Sequence, residues 1–300
     1  MSKPMKYLLR GGAVVLILLV LGTSFFFYKL FHRVEGKYFD SNGVRIHYVD
    51  EGSGEPVILI HGFAANVDAN WRAPQVLDEI KKHHRVIALD NRGHGLSDKP
   101  HDPKQYGANM VEDVVRLMDH LKIDKAHIVG YSMGGFMTLK MLTLHPERFL
   151  SATIGGAGYQ KTTPEDAAFF DALSTSLESG QGYDPLFVRL TPIGKPVNHR
   201  KIAYFNAMLS MVNDEAALAA VMRSFPEFIP EEAPLTTIAV PVLLVCGETD
   251  PLRTAVEGLV PLLPNEEVVW IKDGDHISAL GKPAFCEAVH TFIDKHAMAK

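Results

Sequence analysis

From residue 56 onward the chain alternates short, unbroken apolar runs with longer amphipathic stretches, and few architectures accommodate that rhythm. Residues 56–60, 86–89, 242–245 and 268–271 are unbroken apolar runs, and 126–129 and 152–154 are nearly so, as strands buried on both faces require. Between them lie helical patterns. Met110, Val114, Leu117, Met118 and Leu121 recur at three- and four-residue spacing. Further helices are predicted over 134–145 (ended by Pro146), 254–263 and 284–296. Strands alternating with helices predict an α/β fold with a doubly wound, mostly parallel sheet. Residues 36–51 add a hairpin, turning at Asp40-Ser41-Asn42-Gly43. Residues 159–234 carry helical patterns and several prolines but no strand pattern. That stretch is too long for a plain loop, so it predicts an inserted helical cap. The predicted organisation is an anchor and linker over 1–35, a core over 36–158 and 235–300, and a cap over 159–234.

Composition narrows the function classes. With 47% hydrophobic residues in 300, the chain is long enough for one large core. A formal net charge of −5 and the lack of any dense Lys/Arg run exclude a nucleic-acid partner from the reading. The two cysteines, Cys246 and Cys286, have no metal-ligand spacing, which disfavours a disulfide framework or a zinc site; a single disulfide between them stays open. No cofactor and no metal are expected.

The N-terminus breaks with this picture. From Gly11 to Tyr28, 18 residues carry no charge. As a helix they would rise about 27 Å, close to a hydrocarbon core. Lys3, Lys6 and Arg10 precede the run, Lys29 and Arg33 follow it, and Phe25-Phe26-Phe27-Tyr28 stands where an interfacial belt would lie. The run reads as an uncleaved transmembrane anchor, with secretion after signal-peptide cleavage as the competing reading. The basic cluster at the extreme N-terminus places that end in the cytoplasm and the globular part outside.

Gly130-Tyr131-Ser132-Met133-Gly134 sits directly between an apolar strand and a helix. A sharp strand-to-helix turn strains its central serine and needs small residues two positions to either side, which Gly130 and Gly134 supply. Ser132 is therefore the candidate nucleophile. A serine hydroxyl needs a base. Of 14 histidines, His276 alone follows the last apolar strand at the sheet's carboxyl edge, where catalytic groups of open α/β sheets gather. His83, His84, His101 and His199 fall in polar contexts and read as solvated. Asp250, after the preceding strand, is the candidate acid that orients the base. Glu248 competes with it, and Asp273 and Asp275 read as turn residues. For the oxyanion, the Phe63 backbone N–H in His61-Gly62-Phe63 and the Met133 N–H are the candidate donors, with the His61 side chain structural.

Together these segments resemble the α/β-hydrolase family, in its cap-bearing serine hydrolase branch, over nearly everything from residue 36. Asp90-Asn91-Arg92-Gly93-His94-Gly95-Leu96-Ser97-Asp98 looks like that family's loop after the second parallel strand, and the resemblance implies a structural role for it. Family members with an aspartate nucleophile, epoxide hydrolases and haloalkane dehalogenases, resemble this chain less well because it carries Ser132. The resemblance implies hydrolysis of a carboxylic ester or related acyl bond through an acyl-enzyme, and the apolar residues of the cap point to a small apolar substrate, an acyl or lipid-derived ester. Carbon–carbon bond hydrolases and cofactor-free haloperoxidases share the same motifs, and a non-catalytic ligand-binding member is the reading from another class. Cap residues offered for an apolar pocket are Phe169, Phe170, Leu173, Phe187, Phe205, Met208, Leu209, Met211, Phe225 and Phe228. Substrate and oligomeric state stay open.

Overall fold

The computed structural model describes residues 34–298. The candidate membrane segment at 11–28 lies outside the described residues; among those described, no helix is long and apolar enough to cross a membrane.

Eight strands form one sheet in the order β1-β2-β4-β3-β5-β6-β7-β8. The strands are β1 Lys37–Ser41, β2 Val44–Gly52, β3 Pro56–Ile60, β4 Arg85–Leu89, β5 Ala126–Tyr131, β6 Phe149–Gly155, β7 Val242–Gly247 and β8 Glu266–Ile271. The hairpin β1–β2 and its junction with β4 are antiparallel, and every other pair is parallel. Asn42 and Gly43 turn the hairpin with φ of 55° and 84°, the positive values that a two-residue turn between twisted strands requires.

Helices cover both faces, which is why the central strands read as unbroken apolar runs. On β3, Ile58 and Ile60 point into one core, shared with α2 (Ala108–His120) and α3 (Met133–Leu144), while Val57 and Leu59 point into the other. That second core is closed by α1 (Val76–Ile80) and the C-terminal helix α10 (Pro283–Lys295). The short α1 has no clear periodic signature and was not among the predicted helices. Between β6 and β7 come α4 (Pro164–Glu178), α5 (Asp184–Arg189), α6 (His199–Val212), α7 (Glu215–Ser224) and α8 (Glu232–Leu235), with no strand among them; α9 (Arg253–Leu259) follows β7. Thr163 and Asp166 start α4 with a reciprocal capping box. Cys246 and Cys286 are both free thiols, which closes the disulfide alternative.

The loop after β4 is held by buried charge. Arg92 forks onto both carboxylate oxygens of Asp113 at 2.8 and 2.7 Å, and both side chains are buried. Asp90 accepts from the backbone N–H groups of Val67 and Leu96 and pairs with His47 Nδ1 at 2.9 Å. Burial opposes ionisation of Asp90, yet His47 and these amides outweigh it and hold its carboxyl at about 2. His84, read from sequence as solvated, is 5% exposed, because it closes the base of the sheet against α10.

A carboxyl whose folded value lies below its unfolded value adds stability above the unfolded value, and that stability is lost as pH falls through the folded one. Stability is therefore expected to decline by about 2 kcal/mol from this group between about pH 4 and pH 2. Urea unfolding at stepped pH should show the decline in the wild type and a shallower one in Asp90→Asn.

Candidate active site

Ser132 stands between the end of β5 and the first turn of α3, with φ 54° and ψ −119°. That backbone is strained for a residue with a side chain, by about 1–3 kcal/mol. Its own peptide groups hold it there. The Ser132 N–H donates to Gly155 O at 2.8 Å, continuing the β5–β6 pairing, while its carbonyl accepts from Gly135 and Phe136. The flanking glycines are obligatory by space. A Cβ on Gly130 would lie 2.1 Å from the Gly134 carbonyl oxygen, and one on Gly134 would lie 2.1 Å from that of Ile60.

The three candidate side chains come together from three sheet-edge loops. Ser132 Oγ lies 2.9 Å from His276 Nε2, and His276 Nδ1 lies 2.9 and 3.1 Å from the two carboxylate oxygens of Asp250. Asp250 is fully buried and His276 is 4% exposed. Asp250 also accepts from the Leu252 N–H at 2.9 Å, which fixes its carboxylate plane. With Nδ1 facing a buried carboxylate, the proton of a neutral imidazole belongs on Nδ1 and Nε2 is left to accept from the serine. The competing acids lie elsewhere: Glu248 accepts from the Asp273 N–H, and Asp275 accepts from Ile277 and Ser278 within its own turn.

The His61-Gly62-Phe63 loop passes directly over the serine; a Cβ on Gly62 would be 3.2 Å from that of Ser132. Asn70 Oδ1 accepts from the Gly62 N–H at 3.0 Å, and His61 is buried with Nδ1 on Gly62 O and Nε2 accepting from the Asn91 N–H. His61 thus splints the loop. Phe63 and Met133 both border the cavity beside Ser132. His94, packed edge-on against His61 and Phe63, is pushed down to about 3 by burial, which disfavours its charged form.

Sequence reasoning passed over Tyr131. Its hydroxyl donates to the His276 carbonyl oxygen at 2.6 Å, and burial together with the nearby Asp250 charge pushes its ionisation well above the ordinary tyrosine range. The same burial and charge raise the Cys246 thiol, leaving it inert beneath the acid. Neither contact has a local sequence signature.

The cavity in front of Ser132 has a volume of ≈ 90 Å³ open to the centre of a water-sized sphere. Phe170 stacks on Phe225 at 5.2 Å and Phe136 meets Phe225 edge-on at 5.4 Å, making an aromatic wall. Of the cap residues offered from sequence, Phe169, Phe170 and Phe225 line the cavity, whereas Leu173 and Phe228 are buried core and Met211 is exposed. The polar members of the lining, unpredicted, are Gln160, Asp166 and Arg189. Arg189 pairs with Asp166 and lies over the Phe169 ring at 4.6 Å. Burial works against the Asp166 charge, but the Thr163 amide and the Arg189 guanidinium prevail and hold it below the usual carboxylate range. The site holds no grouping of three metal-ligating side chains among the described residues.

Residues 55–184 match the family of the alpha/beta hydrolase fold. Over those residues this chain is similar to that family. Among its relatives, 2-hydroxymuconate semialdehyde hydrolase of Pseudomonas sp. (strain CF600) is 32% identical over 177 residues, or 58% of this chain and 56% of that protein's length. The chain therefore spans little more than half of that relative. The 2-hydroxy-6-oxo-6-(2'-aminophenyl)hexa-2,4-dienoic acid hydrolase of Metapseudomonas resinovorans is 29% identical over 281 residues, covering 87% of this chain and 91% of that one. A thermophilic esterase from Thermogutta terrifontis superposes with a TM-score of 0.73 at 22% identity, covering 89% of this chain and all of the other, a likeness of fold. The chain has the α/β-hydrolase fold.

Because Gly134 packs against the Ile60 carbonyl, Gly134→Ala is expected to force α3 away from β3. The urea midpoint should fall by an amount corresponding to about 1–3 kcal/mol.

Proposed function

We propose that this enzyme hydrolyses a carboxylic ester or related acyl bond of a small apolar substrate through an acyl-enzyme on Ser132. The observation that carries the reading is the unbroken line Ser132 Oγ–His276 Nε2, His276 Nδ1–Asp250, at the floor of an aromatic cavity. Ser132 attacks the carbonyl carbon while its proton passes to His276 Nε2. The Phe63 and Met133 N–H groups donate to the tetrahedral oxyanion, each contribution of this kind being worth about 10²–10³ in rate. His276 then protonates the leaving group, takes a proton from water as the hydroxide attacks the acyl carbon, and returns that proton to Ser132. Asp250 holds the imidazolium in place throughout.

Carbon–carbon bond hydrolysis is the second reading, favoured by the 32% identity to the semialdehyde hydrolase. The two diverge on substrate. Fluorophosphonate labelling is expected in the wild type and absent in Ser132→Ala, and Asp250→Asn should lower ester kcat by about 10⁴. Unaltered turnover in Asp250→Asn would sink the assignment of the acid. Higher kcat/KM on 2-hydroxymuconate semialdehyde than on short p-nitrophenyl esters would move the reading to carbon–carbon cleavage.

The uncharged run at 11–28, flanked by basic residues, supports an anchor with the catalytic domain on the outer side of the membrane. The intact protein is expected in the membrane fraction, released by detergent and not by high salt, with an N-terminal sequence that retains residues 11–28. A mature N-terminus downstream of residue 24 would instead mark cleavage and secretion.

A further inference from the structure

At the amino-terminal edge of the sheet, opposite the edge that carries Ser132, three side chains converge outside the catalytic machinery. His84 directly precedes β4, and His290 and Asp294 lie one turn apart on α10. Asp294 bridges the two imidazoles, with Oδ1 3.1 Å from His84 Nε2 and Oδ2 3.2 Å from His290 Nδ1. One donor atom from each of the three residues lies within 4.8 Å of the other two. We propose that His84, His290 and Asp294 form a divalent transition-metal site, with Zn²⁺ as the fitting ion.

The donor set decides the class of metal. Two imidazole nitrogens and one carboxylate oxygen suit zinc and its transition-metal neighbours, whereas calcium and magnesium take oxygen ligands. Zinc holds such donors at about 2.0–2.2 Å, so the three must draw inward, and two of them are free to do so. His290 and Asp294 are 31% and 52% exposed along their side chains and can rotate without disturbing a core. His84 is the fixed point. It is buried, and Nε2 is the ring nitrogen it turns toward Asp294. Coordination through His84 Nε2 and His290 Nδ1 puts each ring's single proton on its other nitrogen, and two neutral imidazoles with one carboxylate leave a dipositive ion with a single net positive charge.

Access is also present. A solvent-open cleft beside His290 is lined by Glu79, His83, Lys282, Cys286 and Glu287, and gives an ion a path to the His290 ring from solvent. The three side chains leave a fourth zinc position to water. A bound ion would link positions 210 residues apart and pin the C-terminal helix to the body of the sheet.

The test uses the full-length, untagged chain stripped with chelator. Titration with Zn²⁺ should saturate at one equivalent and raise the Tm, and Co²⁺ should give the visible absorption of a low-symmetry site. His290→Ala and Asp294→Asn, both at exposed positions, should each weaken Zn²⁺ binding by about tenfold or more. Their fluorophosphonate labelling at Ser132 should match the wild type, and Cys286→Ser should bind as the wild type does. Absence of saturable binding, or binding that survives both α10 substitutions, would overturn the site; binding lost with Cys286→Ser would assign it to the thiol.

Discussion

The candidate site depends on one strained residue that the sheet holds in place. Ser132 cannot relax to an ordinary helical or extended conformation, because its N–H is committed to Gly155 on β6 while its carbonyl caps the first turn of α3. Three contiguous parallel strands, β3, β5 and β6, thereby fix one side chain. The cost of the strained backbone is small beside the apolar burial on both faces of those strands. Nothing local would keep a lone loop in this geometry. A rigid, doubly covered sheet does, and the glycines at 130 and 134 are what allow helix and strands to close around the turn.

The two candidate partners of Ser132 follow from the same frame. His276 and Asp250 sit in loops after β8 and β7, which pair in register through Gly247 and Ile271. A Cβ on Gly247 would meet the Gly274 carbonyl oxygen at 2.5 Å, and Thr249 donates to that carbonyl through both its N–H and its hydroxyl. The two loops are therefore stitched to each other before either reaches the serine. Their spacing is set by backbone contacts, and the fully buried Asp250 turns its oxygens to His276 and the Leu252 amide.

Most of the scaffold was legible because each core strand is buried on both faces, which writes an unbroken apolar run into the chain. The run at 56–60 is β3 to the residue, and the helix predicted at 134–145 is displaced by one residue at each end. The candidate catalytic side chains were equally readable, since the turn chemistry around Ser132 and the positions of Asp250 and His276 after successive apolar runs are local signals. What escaped the sequence is tertiary. His84 lies in a polar stretch yet is buried, because burial there is set by α10, more than 200 residues away. Leu173 and Phe169 look alike in a helical pattern, but one faces the core and the other the cavity. The Asp166–Arg189 pair joins two helices whose relative placement no spacing rule specifies.

Tyr131 has a mechanical consequence. Its ring rises from the residue beside the nucleophile and its hydroxyl ends on the main chain of the base, so it works as a strut of fixed length between the two. An aromatic side chain has two torsions and no bending freedom, and Phe285 braces it edge-on at 5.7 Å. Drift in the loop around residue 276 therefore carries the imidazole along with the strand that bears the serine, and the gap between Ser132 and His276 is gauged by a single rigid ring.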